Sequence, residues 1–375
     1  MNIRRRIEAL IGELEAHGDL TEQEWRTALL EVPRHLFVPN KAWAAPIGGD
    51  GYLIDRDQSP EEWMNAAYAD HPIITQLDDG ATDIATGEGY YTSSLSAPGI
   101  VVDFLELLSP YEGDRVLEIG TGTGWTAALL AHRVGQANVT SIEIDKAVLD
   151  VAAENLKGAG YNPRLICGDG AQGCRDYAPY DRVHATCGVS LVPYAWVEQT
   201  RPGGIVVFPW MPGIEPGHKA ALTVGRNGTA SGRFSRRGAS YMMLRDQRPP
   251  GGEYSSNYRE SRATVDPRRI FKGGVGLDVA LAGLLPDVSA TTDQGDVFQA
   301  SLWFGDSAAH VTGDKVTQYG ERSLWDELED AFFAWVDWGS PDRDRFGMTV
   351  TPKGQFVWLD TPDNPVTEPR AGLNR

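Results

Sequence analysis

The sequence predicts an α/β protein: a Rossmann-like, doubly wound parallel sheet, with helices before it and a smaller α+β domain after it. Three observations carry this expectation. Between Arg115 and Trp210 the apolar runs "RVLEIG", "NVTSIEI", "PRLICGD", "DRVHATC" and "GIVVFPW" alternate with the helical stretches "WTAALLAHRV" and "KAVLDVAAENLKGAG". The first of those runs ends in a glycine-rich turn that opens a helix. Beyond Arg262 a separate pattern of strands and an amphipathic helix begins.

Taken in order, Ile7, Leu10, Ile11 and Leu14 mark an amphipathic first helix. In "TEQEWRTALLEVPRHLFVP", Thr21 and Glu24 have capping-box spacing and Pro33 closes the helical pattern. From Asn40 to Gly89 the pattern dissolves into Gly, Pro and Asp with scattered aromatics such as Tyr52, Trp63 and Tyr68, which reads as a long loop able to touch substrate. In "YYTSSLSAPGIVVDFLELL", Pro98 suits a first helical position, and Ile100, Phe104 and Leu108 with Val101 and Leu105 form an apolar stripe. A serine cap explains one hydroxyl there, whereas Thr92, Ser93, Ser94 and Ser96 all crowd the helix start. After the sheet, "RNGT" is a hairpin turn signal. "DVFQASLWFG" then reads as a strand, "SLWDELEDAFFAWVDWG" as a helix with Trp325, Leu328, Phe332 and Trp335 on one stripe, and "RFGMTVTPKGQFVWLD" as a hairpin. The expected division is 1–90 for N-terminal helices and a substrate loop, 91–245 for the core, 246–262 for a linker and 263–375 for the accessory domain.

Composition narrows the function. With 41% hydrophobic and 23% charged residues the chain is ordinary soluble globular protein, and no window reaches the roughly 20 apolar residues of a membrane span. The N-terminus lacks the apolar core of a signal peptide, so the expected location is cytoplasmic. Cys167, Cys174 and Cys187 lack paired CxxC spacing, which argues against a disulfide framework and a structural zinc site. A formal net charge of −18 opposes phosphate backbones, so nucleic acid is not an expected partner, and neither is a membrane.

The chemistry concentrates at the carboxyl ends of the expected strands, where such sheets bind ligands. Gly120, Gly122 and Gly124 are spaced GxGxG, not the GxGxxG of a dinucleotide site, and Glu118 precedes them. Glu143, in "SIEID", is placed to accept hydrogen bonds from ribose hydroxyls, and Asp169, in "CGDGAQG", could meet an adenine amino group. The implied ligand has an adenosine, a carboxylate for the helix N-terminus and an ammonium for an acid such as Glu118. S-adenosylmethionine fits, with S-adenosylhomocysteine as its product.

At this point the chain resembles the protein-L-isoaspartate O-methyltransferases. The blocks "VPRHLFVP", "AYADHPI", "SAP" opening a helix, "VLEIGTGTGW", "GDG", "APYDRVHAT" with "RPGGIVVFP", and a terminal hairpin occur in the family's order between about Glu31 and Arg245. The resemblance implies a class I S-adenosylmethionine-dependent methyltransferase fold and a carboxyl O-methyltransferase acting on an Asp or isoAsp side chain. It also implies that Ser96 hydrogen-bonds the substrate carboxylate. Glu118, Gly120, Thr121, Gly122, Gly124, Glu143, Ile144, Asp169 and Gly170 match cofactor positions, and Tyr68, His71, Thr92, Ser93, Ser94 and Thr186 fall on the substrate side. His71 and His184 are not expected to act as bases. The chain departs from the family where a Gly-Gln-Thr or Gly-Ala-Thr is usual: it reads Thr92-Ser93-Ser94.

Two uses of the ester follow from the resemblance. One tailors a ribosomally made precursor peptide, as lanthipeptide- and graspetide-associated relatives do, through an ester that cyclises to a succinimide. The other repairs isoaspartate in damaged proteins. The long C-terminal extension and the altered hydroxyl stretch favour tailoring at this stage, with repair as the alternative and a non-catalytic S-adenosylmethionine-binding module as a remote one.

Overall fold

The computed structural model describes residues 2–214, 217–248, 257–293 and 295–367. The chain divides into two compact units, Met1–Thr186 with Glu198–Val207, and Cys187–Val197 with Phe208–Arg375.

The first unit opens with α1 (Ile3–His17), which buries Ile7, Leu10, Ile11 and Leu14 as the 3.6-residue pattern requires, and α2 (Gln23–Glu31). The expected capping box does not form. Helix α2 has Glu22 at its cap with no side-chain bond, and the Thr21 hydroxyl is directed to Glu106 instead. Its carboxylate accepts from Thr21 N–H and Thr21 Oγ1 at 2.6 Å each and from Glu22 N–H at 2.8 Å.

The stretch 40–89 is more regular than its composition suggests. It contains β1 (Lys41–Ala44), β2 (Tyr52–Asp55), α3 (Pro60–Ala67) and β3 (Ile73–Leu77), and the hydroxyl stretch itself is β4 (Tyr91–Leu95). Together the strands form a sheet in the order β2-β1-β3-β4. The alternation of a strand therefore governs the hydroxyls: Ser93 and Leu95 are buried, while Thr92 and Ser94 are partly exposed. Helix α4 (Pro98–Leu108) follows with Pro98 in its first turn and Ala97 at its cap, so no serine caps it. Its buried face includes Val101, Phe104, Leu105 and Leu108, while Ile100 is only half-buried.

The parallel sheet then builds as expected: β5 (Val116–Ile119), α5 (Trp125–Val134), β6 (Val139–Glu143), α6 (Lys146–Gly158), β7 (Arg164–Cys167) and β8 (Tyr180–Ala185). Helix α7 (Tyr194–Glu198) leads into β9 (Thr200–Trp210). The order is β9-β8-β5-β6-β7. Strands β5, β6 and β7 wind one way and β8 returns on the other side of β5, so the topological switch point lies between the carboxyl ends of β5 and β8.

In the second unit β10 (His218–Val224) and β11 (Ala230–Gly238) form the hairpin signalled by "RNGT". Of the expected linker, residues 249–256 lie outside the described residues, and Tyr258–Arg262 is strand β12. After it come α8 (Pro267–Phe271), α9 (Val275–Leu284), β13 (Ser289–Asp293), β14 (Gln299–Phe304), β15 (Ser307–Thr312), β16 (Lys315–Tyr319) and α10 (Leu324–Asp337). The sheet β12-β16-β15-β14-β13 packs against α9 and α10 around Trp325, Leu328, Leu281, Leu302 and Val311, with Phe332 and Trp335 at its margin. These aromatics are core or core edge. The last hairpin, β17 (Phe346–Thr351) and β18 (Gly354–Leu359), does not join this sheet but pairs with β11, Ala230 facing Val350. Among the described residues no helix is long and apolar enough to cross a membrane.

Candidate active site

All residues of the site belong to the first unit. Gly120, at the end of β5, has φ 92°, and a Cβ there would lie 2.6 Å from Thr186 Oγ1 at the end of β8. Only glycine lets the two strand ends approach this closely. Thr186 Oγ1 donates to Gly120 O at 2.6 Å and Ile119 O at 3.0 Å, which stitches the switch point shut on that side. Gly122 has φ 54°, and a Cβ there would meet Ser94 O at 3.3 Å, so β4 lies against the glycine loop.

Glu118 is fully buried. In parallel register it faces Ser141 on β6 and His184 on β8. The Ser141 hydroxyl donates to Glu118 Oε2 and also shares a 2.6 Å hydrogen bond with Thr121 Oγ1. The other oxygen, Glu118 Oε1, has no hydrogen-bond partner among the described residues. A buried acceptor left unmade costs on the order of 1–3 kcal/mol. Burial pushes the Glu118 carboxyl up to about 8, the Ser141 hydrogen bond lowers it, and the Glu143 charge raises it further. A bound cation would satisfy the orphaned oxygen and hold the acid ionised.

Glu143 closes β6. Its Oε2 accepts from Gly122 N–H at 3.0 Å and its Oε1 from Asp145 N–H at 3.1 Å. These bonds fix the carboxylate rotamer and leave lone pairs for hydroxyl donors. Burial raises its pKa above the usual carboxylate value, opposed by those N–H bonds. Ile144 beside it is 37% exposed, an apolar surface next to a polar acid, as a base and its sugar require. Past β7, Asp169 caps a short turn through Ala171 N–H at 2.9 Å and holds the Gln172 amide at 3.4 Å, with buried Gly170 behind it. The glycine loop, Glu118, Glu143, Ile144 and Asp169 thus line the carboxyl ends of three adjacent strands, and the orphaned Glu118 oxygen fits an amino-acid ammonium.

On the other side, the hydroxyls divide. Ser93 Oγ accepts from Thr75 Oγ1 at 3.0 Å, and Thr92 Oγ1 donates to Gln76 Oε1 at 2.9 Å, so both are tied within the sheet. Ser94 and Ser96 side chains make no hydrogen bond among the described residues and stay half-buried. Tyr68 and His71 are partnered within the unit: the Tyr68 hydroxyl sits 2.6 Å from His35 Nδ1, and His71 Nδ1 lies 3.2 Å from Pro72 O. Burial lowers the basicity of His71 and takes His184 down to about 4, so both imidazoles are neutral near pH 7.

Arg34 carries a role that the sequence reading did not assign. It is fully buried, its guanidinium donates to the carbonyls of Ala67, Ala69, His71, Leu95 and Ser96, and it lies 5.5 Å from the Trp125 ring. One side chain therefore ties the 67–71 turn to the β4–α4 junction and to the first residue of α5. Burial pulls it down to about 9, which leaves it charged near pH 7. Its place in the "VPRHLFVP" block was the available signal; for Gln76, another residue that bridges elements here, the sequence offered none.

Comparison with known proteins bears on this pocket. A model of the Protein-L-isoaspartate(D-aspartate) O-methyltransferase family matches residues 52–228. The chain is 34% identical over 209 residues to a protein-L-isoaspartate O-methyltransferase of Methanopyrus kandleri, covering 55% of this chain and 77% of that one. It is likewise 34% identical over 217 residues to the one of Ignicoccus hospitalis, covering 57% and 85%. The chain belongs to the protein-L-isoaspartate O-methyltransferase family. As a member it is an S-adenosylmethionine-dependent protein carboxyl O-methyltransferase. A relative of the same name from Methanosarcina mazei is 34% identical over 194 residues, with 65% of its length covered. A solved structure titled protein-L-isoaspartate O-methyltransferase matches with a TM-score of 0.56 and 21% identity, and spans 95% of this chain and all of its own. The likeness in fold thus extends into the C-terminal region.

Proposed function

We propose that this protein methylates the free carboxylate of isoaspartyl residues in proteins, the first step of a repair cycle. The observation that supports it is the pairing, within one unit, of a cation-seeking Glu118 with the two unbonded hydroxyls Ser94 and Ser96, in a chain whose relatives carry that name. Bound S-adenosylmethionine supplies an electrophilic methyl group on a sulfonium. The acceptor carboxylate is ionised near pH 7, so the chain needs no general base, and neutral His71 and His184 are consistent with that. Ser96 orients the acceptor carboxylate by donating a hydrogen bond without adding a competing charge. Arg34 holds the Ser96 carbonyl at 3.0 Å and so fixes the backbone from which the hydroxyl projects. Positioning of this kind can supply several kcal/mol of a barrier. Joining a cation and an anion into neutral products also favours a site from which water is excluded.

The C-terminal extension and the hydroxyl stretch, taken as sequence alone, favour tailoring of a precursor peptide. The relatives favour repair, and both arguments for tailoring weaken: a fold likeness that spans 95% of the chain includes its extension, and Thr92 and Ser93 spend their hydroxyls inside the sheet. The test is methyl transfer to two peptides of one sequence, one with isoaspartate and one with aspartate. The isoaspartyl peptide should be the substrate by at least a hundredfold in kcat/KM. Preference for the aspartyl form, or for a constrained precursor peptide, would return the tailoring reading.

A further inference from the structure

Strand β3 does not pair evenly with β4: the register shifts on both sides of Gln76. A bulge re-aims the side chain it carries. Here the two ends of the Gln76 amide reach different parts of the unit, Nε2 donating to Asp145 Oδ2 at 3.1 Å and Oε1 accepting from Thr92 Oγ1 at 2.9 Å. That same Thr92 oxygen accepts the Asp79 N–H at 3.1 Å. At the far end, Asp145 donates its N–H to Glu143 Oε1 at 3.1 Å, while its Oδ1 caps α6 through Ala147 and Val148. An unbroken chain of hydrogen bonds therefore runs Glu143, Asp145, Gln76, Thr92, Asp79.

Its outer end is a loop held in a costly shape. Asp78 and Asp79 have φ of 47° and 53°, the left-handed region that non-glycine residues avoid. The Asp78 carboxylate restrains the loop by accepting from Thr82 Oγ1 at 2.6 Å and from Tyr90 N–H at 2.8 Å. Its exit leaves Tyr90 and Tyr91 exposed and leads through β4 to Ser94 and Ser96. One end of the path thus touches the acid assigned to the ribose, and the other sets the edge of the acceptor site.

We propose that Gln76 is a positioning residue that couples the two sides: ribose hydroxyls on Glu143 fix Asp145, and Gln76 passes that order to the 78–92 loop. The proposal rests on the methyltransferase reading of Glu143. Coupling of this kind is reciprocal, so an acceptor that orders the loop should tighten cofactor binding by the same factor.

Hydrogen exchange with and without saturating S-adenosylhomocysteine tests it in the wild type, Gln76→Leu and Thr92→Val. In the wild type, ligand should slow exchange at residues 118–124 and also about tenfold at residues 78–92, with the Asp79 amide as the sharpest reporter. Both variants should keep the slowing at 118–124 and fall below twofold at 78–92. Slowing at 118–124 with an unchanged loop in the wild type, or a full loop response in either variant, would overturn the coupling alone. No slowing at 118–124 in the wild type would instead overturn the reading of the pocket, and the coupling with it. Should Gln76→Leu not fold, Thr92→Val decides, since it trades one hydroxyl for a methyl group of the same shape.

Discussion

Glu118 sits where burial lifts its carboxyl from an ordinary 4.5 to about 8, despite the hydrogen bond from Ser141 and with the Glu143 charge adding to the rise. At about 1.36 kcal/mol per pH unit this opposes ionisation of the buried acid by about 5 kcal/mol. Near pH 7 the acid is therefore protonated until a cation arrives. If the ammonium of S-adenosylhomocysteine pairs with the ionised acid, binding must expel a proton. The ionised fraction of a group at about 8 rises roughly 50-fold from pH 6 to pH 8, and affinity should follow it. Calorimetry in two buffers of different ionisation enthalpy should show close to one proton released at pH 7. In Glu118→Gln, affinity should be weaker at pH 8 and nearly flat between pH 6 and pH 8. The same shift has a stability signature of defined sign. Because the folded value lies above the unfolded one, the contribution of Glu118 is fully present below pH 4.5 and fades as pH rises through 8, so the wild type assayed without added cofactor should lose stability over that window relative to Glu118→Gln. A wild-type affinity that does not change between pH 6 and 8, or a slope that survives in Glu118→Gln, would refute the reasoning.

Two further predictions concern the acceptor side. Ser96→Ala should lower kcat/KM for an isoaspartyl peptide by about ten- to hundredfold and leave the S-adenosylhomocysteine Kd within about twofold, because the hydroxyl meets no cofactor residue; equal losses in both would return the serine to a structural role. Arg34→Met should destabilise the protein by about 3–5 kcal/mol in denaturant unfolding, because it removes a buried donor from five carbonyls, those of Ala67, His71 and Leu95 at buried bonds, and Arg34→Lys should recover only part, since an ammonium cannot span the carbonyls a planar guanidinium reaches.

What the sequence by itself determined is the part of the molecule built from local periodicity and from residues near one another in the chain. Parallel strands buried in a sheet read as continuous apolar runs, and a long crossover helix announces itself by its period, so β5 to β9 and helices α5 and α6 were legible, while the five-residue α7 was not. The acids followed directly, because a parallel sheet lines up its carboxyl ends: Glu118, Glu143 and Asp169 lie at or just past the ends of β5, β6 and β7. Tertiary structure alone decided what depends on pairing between distant segments. Strands β1 to β4 are four or five residues long, too short for a period to show, and only their pairing reveals that Ser93 turns inward while Ser94 does not. The same cause hid the partner of Thr21, which is Glu106 and not Glu24, and the pairing of the last hairpin with β11. Gln76 is the clearest case. Its function rests on a bulge and on an acid 69 positions away, and nothing in the neighbouring residues encodes either.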